Sequence, residues 1–415
     1  MQLARRRRGT ESAALRALQA SALALSGVAN VASADSPIDR VYTSYSFSYY
    51  NEDELEDSKG LPGADSERYE VSTHQAMLAA PLTDRMDFSL EVTHETMSGA
   101  SPWYVAPDAA GSPIQILSGP TIEDKRNDLL LTTNYYYDNA RVGFTTGYST
   151  ENDYKAMNFA FDGETHFNEK NTTLSGGIGV SLDDINPTDP ELDATRPDSE
   201  SKQTYSLNVG LAQVLNRRSV IQSSLSYAFG TGYLSDPYKK VFRNGGVGGS
   251  VFFPDERPGD RHGIAWLTRY RRHIEEFEST LHLSYQYYID TWEVSSHTIE
   301  FSWYQSYGDN LQITPTVRYY TQNESDFYVS YLPDTANGSG EFSSDYRLST
   351  YGALGLGLKA EYTYRTTWLA DIEWKGKISY ERYLSSGDLA FSTPSVEAPG
   401  LVSFNVLSIG LSATF

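Results

Sequence analysis

Apolar and polar residues alternate along most of this chain, most clearly at its C-terminus. In Val402–Phe415, first Phe404 and Val406, then Leu407, Ile409, Leu411, Ala413 and Phe415, are interleaved with Ser, Gly and Thr. A period of two places one set on each face of a strand. A final strand without a partner would present open N–H and C=O groups; pairing it with the first strand closes the sheet into a barrel and removes that edge. Similar segments recur at Ile38–Tyr50, Arg68–Ala80, Met86–Met97, Asn127–Tyr137, Arg141–Thr150, Tyr154–Phe167, Thr172–Leu182 and Thr204–Leu215. They continue at Val220–Tyr233, Gly263–Ile274, Phe277–Ile289, Val294–Tyr307, Leu311–Thr321, Arg347–Tyr364 and Trp368–Tyr383. The even count, about sixteen, returns both ends of the sheet to one side. The predicted fold is all-β: a transmembrane, antiparallel, up-and-down β-barrel of about sixteen strands, formed as a single domain by residues 35–415.

The two faces differ in chemistry as a membrane barrel requires. In the eleventh segment Leu281, Leu283, Tyr285, Tyr287 and Ile289 oppose Thr280, His282, Ser284 and Gln286. In the fourteenth, Leu354, Leu356, Leu358, Ala360 and Tyr362 oppose Gly355, Gly357, Lys359 and Glu361. In the fifteenth, Trp368, Ala370, Ile372, Trp374 and Ile378 oppose Asp371, Glu373, Lys375, Lys377 and Glu381. Arg or Lys on a lipid face at the midplane costs about 2–4 kcal/mol, so the charged sets are expected in the lumen. Connections are by turns short and long. Barrels of this kind keep short turns in the periplasm, which sends the loops after Tyr50, Met97, Leu182, Tyr233, Thr321 and Tyr383 to the cell exterior.

Composition agrees. The 31 Tyr and six Trp suit aromatic girdles at two membrane interfaces. The chain has no Cys, which excludes disulfides, thiolate metal sites, lipoprotein anchoring and covalent haem attachment. Arg5–Arg8, the apolar stretch from Ala17 to Val28 and Ala32-Ser33-Ala34 form the pattern of a cleaved secretory signal peptide over 1–34. Loss of its five Arg and one Glu takes the formal charge from −21 to −25, against nonspecific nucleic-acid binding. The expected location is the Gram-negative outer membrane. The expected partners are its lipid and, through the C-terminal strand ending at Phe415, the barrel-assembly machinery.

Inward charges concentrate in the C-terminal half: Arg269, Arg271, His273, Glu278, His282, Glu300, Arg318, Lys359, Glu361, Asp371, Glu373, Lys375 and Lys377. Mixed charges inside a pore set its ion preference, and the same residues could instead form ion pairs that stiffen the wall. Strands seven to nine are lined by Gly, Ser and Thr, and the scattered His are read as lumen polarity. The longest connection, Leu234–Asp260, carries charges at both ends around Gly245, Gly246, Gly248 and Gly249. It reads as an inward constriction or as a mobile external loop, without regular structure in either case.

That connection also carries a resemblance. Gly232-Tyr233-Leu234-Ser235-Asp236-Pro237-Tyr238-Lys239, followed by Glu256-Arg257-Pro258 and Arg261, resembles the segment typical of the bacterial family labelled domain of unknown function 3570. The resemblance implies a secreted outer-membrane barrel. Such proteins tend to be encoded near periplasmic flavin-transfer and thioredoxin-like proteins, which implies a periplasmic redox protein as a partner. It transfers no catalytic residue, and no flavin or haem motif is present. Neither G-x-S-x-G nor H-E-x-x-H occurs, so no enzyme and no cofactor is expected. The acidic loop with Asp183, Asp184, Asp189, Glu191, Asp193 and Asp198 lacks the calcium-loop spacing and reads as solvated. The leading functional reading is a passive or weakly selective diffusion channel with a charged lumen. The alternative is a non-conducting envelope scaffold that docks a flavoprotein or lipoprotein, and a more remote one is a loop-based receptor.

Overall fold

The computed structural model describes residues 36–64, 66–118, 122–193, 195–243, 245, 251–366 and 371–415. The expected signal peptide, Gly246, Gly248, Gly249, Trp368 and Ala370 lie outside them. The strands are β1 (Tyr42–Glu52), β2 (Glu70–Thr83), β3 (Met86–Gly99), β4 (Pro102–Pro107), β5 (Pro113–Leu117), β6 (Ile122–Tyr136) and β7 (Ala140–Thr150). They continue with β8 (Tyr154–Phe167), β9 (Thr172–Ile185), β10 (Glu200–Asn216), β11 (Ser219–Gly232), β12 (Lys240–Arg243), β13 (Val251–Pro254) and β14 (Asp260–Ile274). Then come β15 (Ser279–Asp290), β16 (Ser295–Tyr307), β17 (Leu311–Gln322), β18 (Tyr351–Thr366), β19 (Ile372–Ser386) and β20 (Phe404–Thr414).

Among the described residues sixteen of these close into one antiparallel barrel, each hydrogen-bonded to its sequence neighbour in the ring. β20 seals it against β1, from Tyr42 opposite Thr414 to Glu52 opposite Phe404. The two remaining pairs, β4–β5 and β12–β13, are hairpins inside long connections. Pleat parity sorts the side chains. On β10, Tyr205, Leu207, Val209 and Leu211 are exposed on the outside, while Ser206, Asn208 and Gly210 face inward beside Gly179, Gly177 and Ser175 of β9. Exposed outer-face side chains such as Val142, Phe159, Ile178, Leu225, Ile264, Leu356 and Ile409 make an apolar belt. Aromatic rings flank it: Tyr205 and Tyr227 towards one rim, and Tyr137, Phe167, Phe277, Tyr307 and Tyr364 towards the other.

Short turns follow β2, β6, β8, β10, β14, β16 and β18 at one end. At the other end lie eight connections: L1 (53–69), L2 (100–121), L3 (151–153), L4 (186–199), L5 (233–259), L6 (291–294), L7 (323–350) and L8 (387–403). L3 and L6 are as short as the turns, but the six long loops expected from the sequence all lie at this one end.

Four expectations need correction. L5 is not structureless: β12 and β13 pair within it, Val241 opposite Phe253. Arg347 does not open a strand; it lies in a short 3-10 turn (Tyr346–Leu348) of L7, four residues before β18. Asp371 is not on the wall, because β19 begins after it, and its backbone has φ +33° at the short-turn end. Glu278 also falls just outside its strand, at φ +48°. Charge alternation continues past the last ladder hydrogen bond, so pattern alone overran these ends.

Candidate functional site

The wall residues expected in the lumen share one face from β14 to β19. Arg271 stands opposite His282 and Arg269 opposite Ser284. Ser284 stands opposite Glu300, Glu300 opposite Arg318, and Arg318 opposite Gly355. Lys359 and Glu361 have the same parity as Gly355, and Glu361 stands opposite Lys377, which brings Lys375 and Glu373 onto this face. These residues line one side of the wall without converging on a single ring. Lys359 Nζ lies 2.6 Å from Glu361 Oε2 and 5.7 Å from the centre of the Tyr304 ring. The His282 ring is 4.2 Å from that ring on its other side.

The facing wall is not as sparsely charged as the sequence implied. Arg126 meets Glu95 at 3.2 Å and Asp128 at 3.6 Å. Nearer the short turns, Arg141 meets Asp162 at 2.6 Å and Glu164 at 3.5 Å. The histidines divide as well. His74, His94, His262 and His297 are on the outer face, where Nδ1 meets Tyr45 Oη at 2.7 Å, Asn127 Oδ1 at 2.8 Å, Tyr227 Oη at 2.7 Å and Tyr285 Oη at 2.8 Å, respectively. They occupy the rim of the belt, where an amphipathic ring with a polar partner is tolerated, so lumen polarity does not explain them.

The loop motif supplies the buried centre of the other end. Asp345 of L7 is fully buried and engages three cations. Arg347 Nε donates to Asp345 Oδ1 at 2.8 Å, Arg257 Nη2 donates to Oδ2 at 2.9 Å, and Lys239 Nζ lies 3.9 Å from Oδ1. Arg257 Nε also donates to Asp255 Oδ2 at 2.6 Å, and Arg347 Nη2 to Asp236 Oδ2 at 3.3 Å. Three carboxylates thus balance three cations. Burial works against the Asp345 charge, but Arg347, Lys239 and Arg257 outweigh it and hold its pKa far below the carboxylate range. Burial pushes Asp255 up, with Arg257 opposing, and pushes Lys239 down, with Asp345 opposing.

From this centre L5 crosses the barrel mouth. Lys239 Nζ donates to the Pro102 carbonyl of L2 at 3.1 Å. Tyr238 Oη donates to Asp153 Oδ2 of L3 at 2.5 Å and accepts from Thr188 N of L4 at 3.0 Å. Lys240 Nζ lies 2.7 Å from Asp193 Oδ2. Burial opposes that carboxylate, but Lys240 and Thr195 prevail and hold its pKa down to about 2. On the L7 side, Glu256 and Phe342 exchange backbone hydrogen bonds at 2.8 and 3.0 Å, and Val241 packs with Leu332 and Phe342. Arg68 of L1 donates to Glu52 Oε2 at 3.0 Å and to the Gly400 and Leu401 carbonyls of L8 at 3.0 and 3.1 Å. Its guanidinium shares the Tyr346 ring with Lys239, at 5.9 and 5.8 Å. Arg261 pairs with Asp290 and lies 4.3 Å from the Trp292 ring centre. Pro237 and Pro258 flank the charged residues, in the turn at Asp236 and before Gly259, whose carbonyl accepts Gly232 N–H at 3.0 Å. The connections therefore form a packed cap. Sequence reasoning found the L5 half of its centre and missed the rest: Asp345 and Tyr346 lie outside any alternating segment, and Arg68 and Arg347 head segments that read as strand but stand just before β2 and β18.

A metal has one candidate set among the described residues: the carboxylates of Asp124, Glu151 and Asp153, mutually within 4.8 Å. Asn152 Nδ2 already donates to Asp124 at 2.6 Å and Tyr238 to Asp153, so these acids also tie L3 to L5. In the acidic stretch, Asp183 accepts from Tyr154 Oη and Ser181 Oγ, each at 2.5 Å, with Lys202 Nζ 3.2 Å away.

The fold is similar to several outer-membrane barrels. One is described as a bacterial polysaccharide outer membrane secretin (TM-score 0.42, 13% identity, 90% of this chain and 97% of that one). Another is CdiB from Acinetobacter baumannii (0.49, 10%, 90% and 60%), and a third is Pseudomonas aeruginosa OccK1, or OpdK (0.41, 8%, 91% and 98%). Similarity at this level describes shape and transfers no role. A search of curated proteins finds no match. The sequence itself matches one family over residues 15–386, and with its sixteen-strand barrel the chain belongs to the family described as protein of unknown function (DUF3570).

Proposed function

We propose that this protein is a diffusion channel of the outer membrane, passive or weakly selective, whose external mouth is closed in this conformation by the cap of L1–L8. The observation that carries this reading is the inward face. Ser, Gly, Thr, Asn and charged residues line a ring of sixteen strands, a size that encloses an aqueous lumen unless it is plugged. A wall of that polarity is stable against water, and the apolar belt outside is stable against lipid. The cap adds a closure that is electrically neutral at its centre and confined to the loops, so the barrel can persist when the loops move. Nothing among the described residues adds to the scaffold reading.

Planar-bilayer recording tests the proposal on the intact chain and on a variant with a broken cap, Asp345→Asn. Discrete conductance steps, larger or more frequent in the variant, are expected. Absence of steps in both, from protein shown by gel shift to hold a folded barrel, would rule out a pore.

A further inference from the structure

L8 leaves the barrel in an unusual direction. After Ser386 it turns down onto the outer wall, and its single 3-10 turn, Gly387–Leu389, lies across β18 at Gly352. A Cβ at Gly352 would come 2.0 Å from the Leu389 carbonyl oxygen, so the two backbones touch. The wall also supplies the hydrogen bonds of this segment. Tyr319 Oη donates to the Leu389 carbonyl at 2.5 Å, and Phe391 N–H donates to Thr321 Oγ1 at 3.0 Å. Ala390 N–H closes the turn on the Gly387 carbonyl at 3.1 Å. Thr321 stands opposite Gly352 and Tyr319 opposite Leu354, with the parity of the exposed outer residue Val317. These contacts are therefore outside the barrel.

The result is an aromatic ring laid on the rim of the belt. Phe391 lies 5.5 Å from the Tyr319 ring and 5.9 Å from His297. Even so it is 69% exposed, the most exposed of the large apolar side chains among the described residues. Beyond it the chain climbs back over L7, where Val396 and Ala398 pack on Trp292, Phe327, Tyr328 and Leu348.

In water this arrangement gains little. Solvent would satisfy the Leu389 carbonyl and the Phe391 amide without help, and a ring so exposed contributes almost no burial. Near hydrocarbon both features become favourable, because backbone groups must find protein partners and an exposed ring gains by entering the interface. The outer belt also runs directly beneath the segment, through Ile299, Val317, Leu356 and Leu384.

We propose that residues 387–391 are a membrane-interface strap that sets Phe391 among lipid chains at the headgroup boundary, fixing the depth of the barrel and anchoring the L7 side of the cap. The proposal rests on the membrane-spanning reading of the belt. Because the chain has no Cys, single-cysteine variants can each carry one nitroxide label. Phe391→Cys, Leu356→Cys in the belt and Leu61→Cys in L1 would be reconstituted in phosphatidylcholine vesicles. Collisions with oxygen, which enters lipid, would be compared with collisions with a water-soluble nickel chelate. The label at 391 should resemble that at 356, with oxygen favoured several-fold, and adding Gly352→Ala should shift it towards the chelate. A label at 391 that behaves like the one at 61 would overturn the strap, as would spin–spin broadening showing that a second copy covers it. If the label at 356 also met water, the membrane reading itself would fall.

Discussion

Replacing Asp345 with Asn keeps the shape of the side chain and removes the charge on which the cap converges. The carboxylate is fully buried and faces Arg347, Arg257 and Lys239. Breaking a buried ion pair by removing one partner costs about 3–5 kcal/mol, because the remaining charge is stranded. Lys239 can relieve part of this: burial already pushes it towards the neutral amine, and it can release a proton where an arginine cannot. The lower half of that range is therefore expected, roughly 3–4 kcal/mol, or about two to three decades in the opening equilibrium of the cap. Asp345 pairs with no barrel strand, so the wall should stay folded. Amide hydrogen exchange read peptide by peptide is the assay. Protection in residues 233–259 and 323–350 should fall by roughly those decades, while β1–β3 and β14–β20 keep theirs. Asp334→Asn, an exposed acid in L7, serves as control. Unchanged protection in the cap, or equal loss throughout the barrel, would refute the assignment of Asp345 as the latch.

Three further outcomes follow from the same geometry. The cap should hold in mild acid. Asp345 and Asp193 have folded pKa values below their unfolded ones, so the stability they give is complete above about pH 3.9 and fades only as pH drops through the depressed values. Asp255 is raised and is relieved by protonation as pH falls, so hydrogen exchange in 233–259, corrected for intrinsic rates, should not accelerate between pH 7 and 5; acceleration there would contradict the signs. Gly99→Ala should open L1 to protease, because Gly99 has φ +116° and a Cβ would lie 2.1 Å from the Arg68 carbonyl oxygen. Strain of that kind costs of order 1–3 kcal/mol, and Gly308→Ala, at φ +60° with open space around it, separates backbone strain from the clash. Leu225→Arg on the outer face of β11 should destabilise the barrel in vesicles by about 2–4 kcal/mol in a urea titration. Ser226→Arg, one residue on and facing inward, should cost far less; equal effects would mean that the faces are misassigned.

The strands were legible because a barrel wall has two solvents. Lipid and water select opposite side chains with a period of two, so residues such as Leu354 to Tyr362 reveal both the strand and its inward partners without reference to any other part of the chain. The even strand count, the alternation of short turns with long loops, and the inward placement of Arg269, His282, Glu300 and Lys359 all follow from that local rule. It stops where the ladder stops. Asp371 and Arg347 continue an alternating pattern beyond the last hydrogen bond, and only the sheet shows where each strand ends.

The cap obeys no period. Lys239, Arg257 and Asp345 stand far apart in the chain, and their pairing depends on which loops the closed ring sets face to face across the mouth. The same holds for Phe391, which partners on neighbouring strands hold in place; the outward histidines do keep the period of two, in phase with Leu78, Val92, Ile264 and Ile299, and it was their polarity that pointed to the lumen. Sequence alone determined a wall, since each strand carries its own record of lipid and water. Tertiary structure alone decided how the mouth is closed, because buried charges are stable only in the company of partners that no local pattern specifies.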